Sequence, residues 1–215
     1  MLPSIDRKRR IVTTLALLAS VTPLKAAQLL LTPPQVRGPF YPLELPLDQD
    51  NDLTQVAGQS AVAKGEAADI FGQVLDARGN ALPNVRVEIW QANAFGRYHH
   101  EGDRQNQPID PGFQGYGEFV TGADGGYRFR TIKPVPYPGR APHIHFALTG
   151  DNFTPLITQM YVAGAPENAR DGILNSISDH RLRERLIVDL NQGSEGILQG
   201  RFDIVLAADG SLRSK

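Results

Sequence analysis

From residue 69 onward, hydrophobic and polar positions alternate in short runs. Val85, Val87 and Ile89 interleave with Arg86, Glu88 and Trp90, the period of two expected of a strand with one face on a core. Comparable runs cover Ile70 to Leu75, Tyr127 to Thr131, His143 to Leu148, Leu156 to Val162 and Phe202 to Ala207. Asp76-Ala77-Arg78-Gly79-Asn80 is a turn signal between the first two runs and predicts a hairpin-like pair. Short strands, Gly- and Pro-rich connections and little helix predict an all-β fold, an antiparallel β-sandwich with long loops. The one helical periodicity lies around Ser178 to Leu190. There Leu182, Leu186 and Val188 or Leu190 share a face while Arg181, Arg183, Glu184 and Arg185 stay wet.

Residues 28–66 carry no such period and are rich in Pro, Gly, Asp and Gln. They read as an extended N-terminal arm laid over the domain, and Gly38-Pro39-Phe40-Tyr41-Pro42 within it excludes helix. Residues 1–27 read as an export signal: Arg7-Lys8-Arg9-Arg10, an apolar run from Ile11 to Leu24, then Ala26 and Ala27. The adjacent Arg9 and Arg10 point to the twin-arginine route and a periplasmic or extracellular location. Lys25, beside the cleavage point, keeps open a cytoplasmic protein with a basic N-terminus. The apolar run is too short, and too broken by Thr13, Thr14 and Pro23, for a stable membrane span. The expected division is therefore 1–27 signal, 28–66 arm and 67–208 β-sandwich domain.

A chain of 215 residues, 41% of them hydrophobic, suffices for one sizeable core. Its formal charge of -1 and lack of a long basic run exclude nucleic acid as the main partner and favour a small organic substrate. No cysteine is present, which removes disulfides, zinc thiolates, iron-sulfur clusters and cysteine nucleophiles together. Any metal must be held by His, Tyr or carboxylates.

The sharpest local feature is His143-Ile144-His145-Phe146-Ala147-Leu148. Alternation puts both imidazoles on one face and Ile144, Phe146 and Leu148 on the other. Two residues of strand span roughly 6.6 Å, a separation from which two imidazole nitrogens converge on one metal. A His-x-His pair is equally compatible with two exposed or hydrogen-bonded histidines. No acidic residue stands beside the pair to make a two-His, one-carboxylate site, whereas Tyr137 lies close upstream. Phenol, with a pKa of about 10, ionises only on a strongly acidic hard cation such as ferric iron. Tyr137 alone is ambiguous, since a tyrosine among prolines often packs a loop. His99 and His100 read as solvated or supporting residues, and His180 as a surface residue.

Several segments together resemble the intradiol ring-cleavage dioxygenases: Trp90-Gln91-Ala92-Asn93-Ala94-Phe95-Gly96-Arg97-Tyr98, Phe129-Arg130-Thr131-Ile132-Lys133-Pro134, Tyr137-Pro138 and Arg140-Ala141-Pro142-His143-Ile144-His145-Phe146. The likeness is greatest to the iron-binding β chains of the protocatechuate 3,4-dioxygenase type. It runs from about Asp69 to Leu206 and includes Leu156-Ile157-Thr158-Gln159 and Arg201-Phe202-Asp203-Ile204-Val205-Leu206. It implies a non-haem Fe(III) site with Tyr98 as equatorial tyrosinate, Tyr137 as axial tyrosinate, His143 and His145 as imidazole ligands, and a solvent hydroxide. Two phenolates and a hydroxide would balance the metal charge, so such a site tolerates a dry pocket. The implied reaction opens a catechol between its two hydroxyls with O2 to give a cis,cis-muconate. Tyr137 and the hydroxide leave as bases, Arg140 stabilises the electron-rich ring carbon, and Gln159 lies on the oxygen-binding side. Trp90 is expected to pack and order the ligands.

Two departures from the protocatechuate pattern bear on substrate size. The stretch from Tyr137 to His143 is short, and Gly139 stands where an aromatic walls the pocket, so a more open mouth for bulkier catechols is expected. The protocatechuate enzyme takes its Gly-Pro-aromatic arm from a second chain. This sequence has its own in Gly38-Pro39-Phe40-Tyr41, which predicts a homo-oligomer or monomer. Arg37 is a candidate for meeting a substrate carboxylate. The rival readings are an exported β-sandwich binding module without catalysis, and a zinc or copper enzyme built on the His pair.

Overall fold

The computed structural model describes residues 28–151 and 153–207; the expected export signal at 1–27 lies outside the described residues. Ten strands form two five-stranded sheets: β1 (Ala67–Asp76), β2 (Arg86–Trp90), β3 (Tyr116–Val120), β4 (Gly126–Ile132), β5 (His143–Thr149), β6 (Leu156–Val162), β7 (Ile187–Val188), β8 (Asn191–Gln192), β9 (Leu198–Arg201) and β10 (Ile204–Leu206). One sheet runs β10-β1-β9-β8 with β4 also on β1, and the other runs β3-β2-β5-β6-β7. The expected β-sandwich holds. The long pairings β1 with β4, β2 with β3 and β5, and β5 with β6 are antiparallel, while β1 with β9 and β10 and β6 with β7 are parallel, so both sheets are mixed.

The core between the sheets takes the apolar face of each alternating strand. Ile70, Val74 and Phe129 from one sheet are buried with Val87, Ile89, Ile144, Phe146 and Leu148 from the other, and Phe202 packs edge-on to Phe146 at 5.1 Å. Gly72 is needed at one point of this construction. The chain passes from β9 to β10 across it, and a Cβ there would lie 2.1 Å from the Phe202 carbonyl oxygen.

Two expectations are corrected. The first two runs do not form a hairpin: the turn begins as one, with Leu75 bridged to Ala81, but Pro83 and a left-handed Asn84 (φ 59°) carry the chain to the other sheet. β1 therefore pairs with β4, and β2 with β3 and β5. The helix over Ser178 to Leu190 shrinks to α1 (His180–Glu184), capped by Asp179, whose side chain accepts from Arg181 N. Burying Leu186 and Val188 against β6, with Tyr161 N donating to Leu186 O, wins over the helical pattern. No helix among the described residues is long and apolar enough to cross a membrane.

Residues 28–66 run as an irregular strip across the sandwich. Thr32 N donates to Val205 O of the first sheet and Gln35 N to Ile157 O on the edge of β6. The strip then turns at Gly38 (φ 72°) onto the solvent face of the second sheet, opposite to the core. Further on, Leu53 is fully buried and its N donates to Arg130 O, which ties the strip to β4.

Candidate metal centre

The face of the second sheet turned away from the core carries the polar members of the alternation. Register places Trp90 opposite His145 and His145 opposite Gln159, one row across β2, β5 and β6, with His143 opposite Tyr161 in the row beside it. All five side chains are buried, because the arm and two long loops cover this face.

The loops bring in the tyrosines. Tyr98 follows a tight turn in which Asn93 Oδ1 accepts from Phe95 N and Arg97 N, and the buried Asp103 carboxylate accepts from Tyr98 N at 2.8 Å. Tyr137 sits in a second turn closed by Arg140 N donating to Tyr137 O, with Gly139 at φ 81°. That left-handed conformation is one that glycine adopts without strain.

Four donor atoms meet. His143 Nε2 lies 3.2 Å from His145 Nε2, 3.5 Å from Tyr98 Oη and 3.4 Å from Tyr137 Oη. Ligands about 2.0–2.1 Å from a common ion in tetrahedral arrangement are separated by about 3.3–3.4 Å, so these spacings suit a single metal ion. His143 Nδ1 donates to Ala141 O at 2.7 Å, which fixes the tautomer and points the Nε2 lone pair at the other donors. His145 stacks flat on Trp90. Among the described residues no cluster of three or more His, Cys, Asp and Glu exists, so the phenols are required to complete a ligand shell.

Burial sets the protonation states of the four donors. Burial, the neighbouring Arg140 second, pushes the His143 imidazole down to about 4, and burial with His143 and Arg140 holds His145 well below its ordinary value. Both imidazoles are therefore neutral at pH 7, with a lone pair available to a cation. Burial raises both phenols. Tyr98, the more deeply buried, rises far above its ordinary range, and Tyr137 is raised as well, with Arg140 opposing the effect of burial at both. Only a strongly Lewis-acidic cation ionises phenols held this way, which fits a trivalent ion.

Arg140 does not project freely. Its Nε donates to Asp171 Oδ2 at 2.9 Å, and its Nη2 to Gln159 Oε1 at 2.6 Å and to Tyr161 Oη at 3.2 Å. Gln159 is fully buried, its Nε2 donating to Val36 O of the arm at 2.8 Å. Asp171 and Tyr161 escaped the sequence reading. Tyr161 follows Gln159 at the strand period of two and was findable, but Asp171 stands in an irregular loop with no pattern. Gly38 also escaped as a contact: a Cβ there would meet His145 Cε1 at 3.3 Å.

The other candidates fall outside this cluster. His99 and His180 are exposed, while His100 accepts from Gly102 N and packs edge-on against Phe40. Arg37 lies over the Tyr41 ring at 5.0 Å instead of facing the donors. Gly139 has nothing within 4 Å of a Cβ position and borders, with Tyr137, Arg140, Arg170 and Asp171, a cavity of about 270 Å³.

Sandwich and site together define a β-sandwich protein with a two-tyrosine, two-histidine donor set suited to one hard metal ion. The chain belongs to the dioxygenase family, whose pattern it matches over residues 36–208. It is 45% identical over 168 residues to the protocatechuate 3,4-dioxygenase beta chain of Burkholderia cepacia, covering 73% of this chain and 71% of that one. It is 29% identical over 198 residues to the hydroxyquinol 1,2-dioxygenase of Corynebacterium glutamicum, covering 80% of this chain and 62% of that enzyme. A solved structure, the dioxygenase domain of a dioxygenase and carbohydrate-binding fusion from Streptomyces sp. SirexAA-E, aligns with TM-score 0.64 at 28% identity over 83% of this chain and 99% of that one. Membership in the dioxygenases, expected from the motifs, is thereby met, and a binding module without catalysis is disfavoured.

Proposed function

We propose that this chain is a non-haem Fe(III) intradiol dioxygenase that opens a catechol between its two hydroxyls, both atoms of O2 entering the product as carboxyl oxygens. The observation that carries this is the convergence of Tyr98 Oη, Tyr137 Oη and His145 Nε2 to within 3.2–3.5 Å of His143 Nε2. Tyr98, Tyr137, His143 and His145 would hold ferric iron, which when bound would supply the Lewis acidity and electron acceptance that open a catechol ring to O2.

The chain's own residues divide the remaining work. Tyr98 is buried, packed at 4.8 Å against Phe40 and anchored through its backbone, which suits a permanent ligand. Tyr137 is partly exposed beside the 270 Å³ cavity, which suits a ligand that leaves and takes a catechol proton on its phenolate oxygen. Arg140 brings a fixed positive charge near the phenols, where negative charge develops on the substrate. The arm, through Gly38 over His145, Phe40 over Tyr98 and Tyr41 over Trp90, keeps water from the histidine side.

The test is the visible spectrum of the iron-loaded protein. A phenolate-to-Fe(III) charge-transfer band is expected, shifting when catechol is added under nitrogen and fading on admission of O2 as muconate forms. A colourless protein that retains zinc, or takes up no iron, would sink the proposal.

A further inference from the structure

The ion pair of the half-buried Arg140 and the buried Asp171 lies outside the four donors, and its hydrogen bonding is complete on one side and open on the other. The Asp171 side chain is fully buried. Its Oδ2 accepts from Arg140 Nε at 2.9 Å and from Ala141 N at 2.8 Å, and its Oδ1 accepts from Ile173 N and Leu174 N at 2.9 Å each. On the guanidinium, Nε and Nη2 are committed to Asp171, Gln159 and Tyr161, while Nη1 makes no hydrogen bond of ordinary length and angle among the described residues. The fork lies beside the Tyr137 phenol, where it opposes the rise in that group's pKa.

We propose that Asp171 is a positioning residue: it locks the Arg140 fork so that Nη1 alone is left to meet the substrate. This deepens the ring-cleavage reading and rests on it. An arginine side chain has many rotamers to give up, and a donor that must find its orientation during the reaction loses much of its effect. A competing carboxylate, Glu167, borders the same cavity as Arg140 and Tyr137. The buried Asp171, whose N donates to Glu167 O in the same turn, holds the guanidinium from thirty-one residues on in the chain. An amide in place of the carboxylate would keep one oxygen for Ile173 N and Leu174 N and turn its NH2 toward two donors, Arg140 Nε and Ala141 N. Asp171→Asn therefore releases the fork while changing the side chain's shape very little.

The experiment is a double-mutant cycle on the iron-loaded enzyme with Asp171→Asn, Arg140→Gln and the pair, assayed on catechol with iron content and thermal melting recorded. Asp171→Asn is expected to lower kcat on the order of 100-fold, the scale of a misplaced group, with a much smaller change in KM. In the Arg140→Gln background the same substitution is expected to cost less than threefold. An undiminished kcat in Asp171→Asn, or an equal loss in both backgrounds, overturns the proposal.

The wild-type protein supplies a second readout that needs no folded variant and no turnover. In the metal-free chain, the Arg140 Nε–H proton is expected as a resolved, slowly exchanging resonance; rapid exchange with solvent overturns the locked fork. A wild type that cleaves no catechol but shows this resonance would defeat the ring-cleavage reading and leave the pairing standing.

Discussion

The His145 imidazole lies against the Trp90 indole with centroids 4.7 Å apart and planes 6° apart, a stack set by their pairing across β2 and β5. Neither His145 Nδ1 nor Trp90 Nε1 has a hydrogen-bond partner among the described residues, so packing rather than a hydrogen bond on Nδ1 orients this imidazole. Trp90→Leu is expected to lower iron affinity about tenfold, at the lower end of what losing an outer contact to a ligand costs. Iron content after dialysis against a chelator measures it, and wild-type retention would show that the strand alone orients the ring.

Gly38→Ala is expected to destabilise the chain and disturb His145. The position has φ 72° and a Cβ would come within 3.3 Å of the imidazole, so the cost combines backbone strain with displacement of the ring. A penalty of about 1–2 kcal/mol follows for the backbone, or a fall in Tm of about 2–8 °C for a chain of this size. Unchanged melting would remove the close-approach argument.

Replacing Tyr98 is expected to act with opposite signs in the absence and presence of metal. Tyr98 is 3% exposed, and its hydroxyl has only a 3.5 Å contact with His143 Nε2. Tyr98→Phe therefore leaves the metal-free protein as stable or more so, yet weakens iron binding and removes part of the charge-transfer band. A metal-free Tm lowered by several degrees would contradict this.

Acid is expected to destabilise the metal-free chain well above the carboxylate range. The folded His143 titrates at about 4 and His145 is also depressed, against about 6.5 in the unfolded chain. The unfolded state binds more protons between these values, so the stability present above pH 6.5 is lost as pH falls toward 4. Each histidine contributes a slope of at most about 1.4 kcal/mol per pH unit. Urea melts across this window check it, and His143→Gln is expected to flatten the profile.

The arm is latched by one buried carboxylate. Glu88 Oε1 accepts from Tyr41 Oη at 2.9 Å and from Tyr116 Oη at 2.5 Å, joining arm, β2 and β3. Glu88→Ala is expected to loosen residues 40–47 and speed limited proteolysis there severalfold, with kcat/KM falling in step. Equal cleavage rates in both proteins would show that Gly38 and the Gln159 contact hold the arm unaided.

Local period and residue type were enough for the strand faces, the fold class and most of the site. Alternation along His143 to Leu148 settles which face is core and which carries the imidazoles, and the strand runs settle the β-sandwich class. Tyr98, Tyr137, Arg140 and Gln159 stood out through motif resemblance, and all come together with the histidines.

Tertiary structure decided what depends on contacts between distant segments. The turn after β1 has hairpin chemistry, yet Pro83 and Asn84 send the chain to the second sheet. The run to Leu190 has helical spacing, yet Leu186 and Val188 are buried beside β6. Asp171 carries no local pattern, because a carboxylate in a loop acquires its role only from what folding places against it. Thirty-one residues separate it from Arg140, and more than a hundred separate Gly38 from His145, distances over which no propensity or periodicity operates.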